Sequence, residues 1–342
     1  MEICGNYVLS DCDSRALQKL KSFIPEKIFD AHAHLYNTEY LPEFVGEGSI
    51  FAEQGAAADR VIYERFQSPL FLKPVKLRLN LISMPDGSMV DRSNNYRARC
   101  NAFLARHLEQ HPEDVGESFV LPDDTEEEIK SLLVHPNIKG FKCYHVTALR
   151  KPTWQADIDE YLPESAWRVA DERGLCITLH MVKDAALADP ENLETIHGKA
   201  KKYPSAKLIL AHAARGFAPW TALEGLKGLS DFSNIYFDVA AVCEPTSIFA
   251  VIKAAGADRV LWGSDFPVSM SRGKCVSVAD SFIWLEKPLL EKLDVPAAAE
   301  ANLVGIENLN ALAQACDMLS LKRGDIEGIL YYNAMKMFGI RD

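Results

Sequence analysis

No run of about 18 apolar residues occurs in this chain of 342 residues, so an ordinary membrane-spanning helix is not expected. Positive charge is scarce. The 37 Lys and Arg stand against 48 Asp and Glu, a formal net charge of −11, which argues against a nucleic-acid partner because a phosphate backbone calls for a basic face. The eight cysteines form no CxxC pair and several sit inside apolar runs, as reduced core thiols do. The opening MEICGNYVLSDCDSR lacks a basic segment followed by an apolar one, so no secretory signal is expected and the expected compartment is the cytoplasm. Internal repeats, low-complexity tracts and charge blocks are also missing, so nothing points to a solenoid or a disordered tail.

What is present is a globular composition, 48% hydrophobic and 25% charged, with short β-rich runs alternating with helical periodicity. That alternation marks βαβ units and a parallel sheet. Strands are predicted at 27–32, 77–82, 117–121, 138–143, 175–180, 207–212, 235–239 and 259–264. Helices are predicted at 94–110, 124–134, 160–173, 191–202, 219–229, 245–255, 279–290 and 306–338. Eight strands imply a single α/β domain over residues 1–342, a distorted (β/α)8 TIM barrel with C-terminal helices. The long span 35–76 after the first strand is an insertion that could serve as a lid. An open doubly wound sheet is the competing fold, but it usually announces itself by a glycine-rich first turn, and the first strand here ends in AHAHLYN.

Five side chains of types that can bind a metal fall at the ends of four predicted strands: His32 and His34, His180, His212, and Asp265. Barrel enzymes build their active sites at these C-terminal strand ends. Residues i and i+2 of a strand share a face, so Asp30, His32 and His34 are expected to point inward, with Ala31 and Ala33 toward the helices. Imidazole nitrogens with a carboxylate oxygen suit a divalent cation such as zinc, with one position left open for water. Asp30 and Asp238 are placed to brace such ligands, or to serve the barrel interior only.

The motifs DAHAHL at 30–35, TLHM at 178–181, LAHAARG at 210–216 and WGSDFP at 262–267 resemble those of the amidohydrolase superfamily. Their order is most similar to the branch of amidohydrolase-2 type hydrolases and nonoxidative decarboxylases, and the similarity extends through the tail IEGILYYNAMKMFGI. The resemblance implies that His32, His34, His180 and Asp265 coordinate one divalent metal ion, zinc or alternatively manganese. It further implies that His212 activates the bound water or shuttles a proton, and that Asp265 doubles as a proton acceptor. Lys142, in GFKCYH, stands where the resemblance places the lysine that is carbamylated and bridges two ions in binuclear members; in a mononuclear site it would hold a substrate carboxylate or make a structural ion pair.

Arg215, Arg272 and Lys274 lie in loops that follow His212 and Asp265, where each is either surface charge or a binder of an acidic small-molecule substrate; Arg offers carboxylates a planar fork. Tyr144 and His145 line the pocket or pack as ordinary polar residues. His107, His111, His135 and His197 are expected to be solvated or capping. The leading expectation is a hydrolase attacking an amide, ester or lactone through activated water. The alternative is a nonoxidative decarboxylase, followed by a sugar-acid isomerase and a barrel without catalysis. A homodimer is the ordinary prior for an enzyme of this class.

Overall fold

Each of the eight β-rich runs becomes a strand of one parallel sheet, because strands covered by helices on one side and barrel core on the other are buried on both faces. The computed structural model describes residues 2–4, 7–37, 57–293, 296 and 300–341. The strands are β1 (Lys27–His34), β2 (Lys76–Ile82), β3 (Val115–Phe119), β4 (Ile138–Tyr144), β5 (Cys176–His180), β6 (Lys207–Leu210), β7 (Ile235–Asp238) and β8 (Val260–Leu261). They pair in chain order from β1 to β8. The barrel then closes through the segment after β8: Ala31 N–H donates to the Trp262 carbonyl at 2.9 Å, Asp265 N–H to His32 at 2.8 Å and His34 N–H to Phe266 at 2.8 Å. Helices wind around this barrel, among them Glu164–Arg173, which stops at Gly174 in a left-handed conformation (φ 63°), and Pro190–Lys202, which Asp189 caps.

Strict alternation along β1 fails at one place, and the failure matters for the site. A bulge between Asp30 and Ala33 inserts an extra residue opposite β2. Phe29 and Ala31 therefore face the barrel interior with Val115, Cys176, Ile209 and Leu261, while Ala33 belongs to the core beneath the outer helices. Asp30 turns outward instead of inward, accepting a hydrogen bond from Tyr63 Oη at 2.6 Å; Tyr63 lies on the outer helix Arg60–Gln67.

The floor of the barrel is sealed by the C-terminal segment. A π-helical turn (Gly328–Tyr332) and the helix Asn333–Phe338 bring Tyr331, Met335, Met337 and Phe338 against Phe29, and the rings of Phe29 and Phe338 stack with centroids 5.5 Å apart. Phe338→Ala is expected to lower the unfolding free energy by about 3–5 kcal/mol, read from chemical denaturation. The predicted helix over 306–338 is thus several pieces, beginning with Val304–Met318 and interrupted near Ser320, whose φ is 52°.

The helix predicted at 279–290 is a correction: this stretch supplies half of an antiparallel hairpin, β9 (Gly273–Val278) and β10 (Ser281–Glu286), and only Lys287–Leu290 is helical. In SFIWLE, Phe282 and Trp284 are half-buried while Ser281 and Ile283 are exposed, a period of two that overrides the helix-forming Leu, Glu and Lys nearby. Gly273 has φ 152°, and a Cβ there would meet the Leu285 carbonyl at 2.7 Å. Lys287 N–H donates to the Arg272 carbonyl at 3.0 Å across the base of the hairpin, and the first stem is tied to the segment beyond it by Gly273 N–H donating to Asn302 at 2.9 Å and Val304 N–H to Ser271 at 2.8 Å.

The expected lid falls largely on residues 38–56, which lie outside the described residues. Flanking them, Tyr36–Asn37 pairs antiparallel with Ala57–Ala58. No helix among the described residues is long and apolar enough to cross a membrane.

Candidate active site

The β1 bulge delivers both histidines of the HxH motif into the mouth. His32 Nδ1 lies 2.9 Å from Asp238 Oδ2, and His34 Nδ1 lies 3.2 Å from the Ser83 carbonyl. Both partners are acceptors, so each Nδ1 carries the hydrogen and each Nε2 presents a lone pair. Those two Nε2 atoms face one another at 3.2 Å, and Asp265 Oδ1 stands 3.6 Å from the first and 3.5 Å from the second. Three buried acceptors converge with no hydrogen between them. Ligand bonds of about 2.1 Å in tetrahedral geometry put neighbouring ligand atoms about 3.4 Å apart, so the donor set and its spacing fit a divalent cation.

Electrostatics keep His32 and Asp265 in ligand form. Burial, reinforced by the charge of Lys142 and opposed by Asp238, pushes the His32 imidazole down to about 4. Burial pushes the Asp265 carboxyl upward, but His212, His34 and His32 outweigh it and hold the carboxylate well below its usual range. Behind them, Asp30 Oδ1 accepts from the backbone N–H of His32 at 3.1 Å and of Ser264 at 2.9 Å, fastening β1 to the segment after β8. Asp30 thus acts on the backbone of the site and does not enter it.

Asp238 holds two histidines at once: Oδ2 takes His32, and Oδ1 accepts from the backbone N–H of His212 at 3.0 Å and of Ala240 at 3.1 Å. His32, His212 and Asp238 also bring ligand-type atoms close together. Because the contacted His32 nitrogen is the protonated one, that trio reads as a hydrogen-bonded brace.

His212 begins an unusual turn. His212, Ala213, Ala214 and Arg215 all have positive φ, from 53° to 59°, forming one left-handed turn without a glycine. Each such L-residue costs roughly 1–2 kcal/mol, a strain of the kind that persists where surrounding contacts dictate the conformation. His212 Nδ1 donates to the Ala240 carbonyl at 2.9 Å, which leaves Nε2 as its working nitrogen. Its ring centroid lies 4.9 Å from that of His32 and 5.0 Å from that of His180, and Phe217 stacks on it at 5.4 Å.

His180 stands one ring further out than the converging trio, 4.2 Å between centroids from Tyr144; burial, then His212, Lys142 and Arg215, hold it neutral. Lys142 is fully buried and its Nζ has no hydrogen-bond partner among the described residues, so burial depresses its basicity. Glu117, which the sequence did not single out, lies in the same interior. Its Oε1 accepts from Asn80 at 2.6 Å and Thr178 at 2.8 Å, and burial pushes its carboxyl up to about 7.

The two loop arginines part company. Arg215 is half-buried, its Cζ 5.3 Å from the ring centre of Phe282. Arg272 is instead drawn away from the mouth to the buried carboxylate of Asp13, at 2.8 Å, and to the Ala301 carbonyl at 3.1 Å. It clamps the hairpin stem to the helix Asp11–Leu20, and the substrate-binding role expected for it has no support in this placement. Lys274 faces Glu307 at 3.5 Å. His145 Nδ1 contacts Thr153 Oγ1 at 3.1 Å, and burial with Arg215 pushes its imidazole down to about 4. His107, expected to be solvated, is buried against Asp114 at 2.8 Å.

Sequence reasoning also missed the aromatic wall: Phe217 meets Phe282 at 4.9 Å and Trp284 at 5.8 Å between centroids, so β10 screens the His212 side of the mouth. The alternation of aromatics in SFIWLE was the available signal.

A family model described as Amidohydrolase matches residues 29–340. No curated protein sequence matches the chain significantly. Solved structures share the fold at low identity. A 2,6-dihydroxybenzoate decarboxylase from Rhizobium superposes with a TM-score of 0.59 at 13% identity, over 92% of this chain and 99% of that one. A dihydroxybenzoic acid decarboxylase from Polaromonas sp. JS666, with bound manganese and the inhibitor 2-nitroresorcinol, gives 0.55 at 16%, over 92% and 97%. A candidate 2-pyrone-4,6-dicarboxylic acid hydrolase from Pseudomonas putida gives 0.55 at 13%, over 92% and 98%.

Proposed function

The chain belongs to the amidohydrolase family, and from that premise we propose that it is a divalent-metal-dependent, nonoxidative decarboxylase of a small aromatic acid. The observation that carries this reading is the aromatic wall of Phe217, Phe282 and Trp284 beside His212, with the guanidinium of Arg215 on Phe282. A flat ring is recognised by such faces and an acid group by such a cation. The decarboxylases among the similar structures support the choice over the hydrolase expected first from sequence.

His32, His34 and Asp265, with His180 as the fourth member, would hold one divalent cation. When bound, that cation supplies the positive charge that orients a substrate carboxylate. The donor types alone favoured zinc; the manganese in the Polaromonas structure supports manganese for a comparable site. His212 holds and moves the proton at Nε2 while its Nδ1–H stays on Ala240. In the proposed reaction the ring carbon bearing the carboxylate gains a proton, the bond to the carboxyl carbon breaks, its electron pair returns to the ring and carbon dioxide leaves. One proton is consumed per turnover. Lys142 contributes buried positive charge that favours the anionic substrate, and Arg215 contacts it from the mouth.

The discriminating experiment supplies 2,6-dihydroxybenzoate and 2-pyrone-4,6-dicarboxylate in heavy-oxygen water to protein loaded with manganese or zinc. Carbon dioxide release without heavy oxygen in the aromatic product supports the proposal. Ring opening of the pyrone with heavy oxygen in the acid formed, and no carbon dioxide from the benzoate, returns the hydrolase reading. Asp238→Ala should weaken divalent-metal affinity by about 10- to 100-fold, measured by competition with a chromogenic chelator, because His32 loses the partner that fixes its tautomer.

A further inference from the structure

Phe217 stands between the hairpin and His212. Its ring stacks on the His212 imidazole at 5.4 Å with 27° between the planes, and meets Phe282 at 4.9 Å and Trp284 at 5.8 Å. Phe217 is buried, with 6% of its surface exposed, whereas Phe282 and Trp284 are half-buried, so the two outer rings supply most of the surface that the wall shows to the mouth. The inner ring has a different task. A hydrogen bond from His212 Nδ1 to the Ala240 carbonyl fixes one corner of the imidazole but leaves its plane free to tilt about that bond. The backbone is a poor second restraint, since the left-handed turn that carries His212 is itself strained and is set by its surroundings. Proton transfer depends on Nε2 standing within hydrogen-bond reach of the reacting atom, so a tilt of the ring is a loss of rate. Phe217 covers one face of the imidazole and closes off that tilt.

The support is firm because the hairpin behind it is anchored on both sides. Trp220, on the helix Pro219–Gly225, donates from Nε1 to the Asp280 carbonyl at the hairpin tip at 2.6 Å. Glu244 Oε1 accepts from the Ser277 N–H at 3.0 Å, and Ser277 lies directly across the ribbon from Phe282. Glu244 follows β7 on the loop that also presents Ala240, so one loop sets both the hydrogen bond to His212 and the place of the rings behind Phe217.

We propose that Phe217 is a positioning residue for His212, passing the anchored placement of the hairpin on to the imidazole, so that the hairpin governs the rate of proton transfer as well as the shape of the mouth. This rests on the proposed decarboxylase reading, in which His212 moves the proton, and adds to it the group that holds His212 in place. Phe282 and Trp284 then act on the substrate directly, and on the chemistry only through Phe217.

The test reads the His212 ring protons by nuclear magnetic resonance in zinc-loaded protein, where no paramagnetic ion broadens them, the signals being identified by their loss in His212→Asn. In Phe217→Leu, which keeps an apolar side chain but not the flat face, they are expected to move downfield as the shielding of the stacked ring is lost. Trp220→Phe, which removes the bond to the Asp280 carbonyl and leaves every ring of the wall in place, carries the test where Phe217→Leu fails to fold. It is expected to move the signals too, and to have no effect when Phe217 is already leucine. With 2,6-dihydroxybenzoate as substrate, kcat is expected to fall about 10- to 30-fold in Phe217→Leu and about threefold in Trp220→Phe, at a KM within about twofold of the wild type. His212 signals unchanged in either variant overturn the proposal, as does a Trp220→Phe effect that persists in full without Phe217, or a loss confined to KM. The two readings fail separately: signals that move as expected in a protein that releases no carbon dioxide from the benzoate remove the decarboxylase reading alone, while carbon dioxide release at the wild-type rate in Phe217→Leu removes only the positioning role.

Discussion

Replacing His212 with asparagine is expected to slow turnover by about 10²- to 10⁴-fold while the protein still purifies with the wild-type content of divalent metal. The substitution is chosen on backbone grounds as well as chemical ones. Position 212 has φ 56° and ψ 47°, a region that asparagine tolerates better than most residues, and the bond from the His212 N–H to Asp238 is made by the main chain and survives. An asparagine amide can still donate to the Ala240 carbonyl, but it cannot take up and release a proton at the place of Nε2. Steady-state rates together with metal analysis by inductively coupled plasma mass spectrometry decide the matter. A parallel fall in metal content would make His212 a ligand and reopen the two-ion arrangement in which a carbamylated Lys142 bridges.

Asp265→Asn is expected to do the opposite to the metal: affinity should fall by more than about 100-fold and activity should vanish with it. The carboxylate is the only negative charge among the three converging acceptors, and its ionised state is maintained against burial by three surrounding histidines. An amide keeps the shape but loses the charge. Asparagine also suits the left-handed φ of 55° at this position, so the bonds from the Asp265 N–H to His32 and from the Val268 N–H to Asp265 should persist. Circular dichroism unchanged from the wild type, combined with chelator competition, separates lost coordination from lost fold. Metal retained at wild-type affinity would remove Asp265 from the ligand set.

The barrel was legible because parallel strands buried on both faces write themselves as short apolar runs, and all eight predicted runs are strands. The convergence of His32, His34 and Asp265 was legible for a related reason: strand ends gather at one mouth. What escaped depends on exceptions to periodicity or on distant partners. The bulge at Asp30 breaks the two-residue repeat, so Asp30 turns outward although its spacing from His32 pointed inward. The hairpin escapes because Leu, Glu and Lys are strong helix formers, and only its burial pattern reveals the strand. Arg272 looked like a mouth residue from its place after Asp265, yet its partner Asp13 lies near the other end of the chain. Glu117 carries no motif, and Asp238 could be identified only as one of two candidate braces until its contacts with His32 and His212 were seen.

The clasped stem of the hairpin has an evolutionary corollary. The bonds joining residues 271–273 to 302–304 already bring the two ends of the excursion together, so variation at its tip leaves the closure of the barrel untouched. Phe282 and Trp284 belong to that excursion, while His32, His34 and Asp265 lie outside it. Exchanging the segment between the stems amounts to replacing a cartridge: new rings or charges can be presented to a substrate without re-registering a single barrel strand. A library confined to residues 274–286 would therefore vary substrate preference without touching a barrel strand, and would reach the chemistry only through Phe217, the ring stacked on His212.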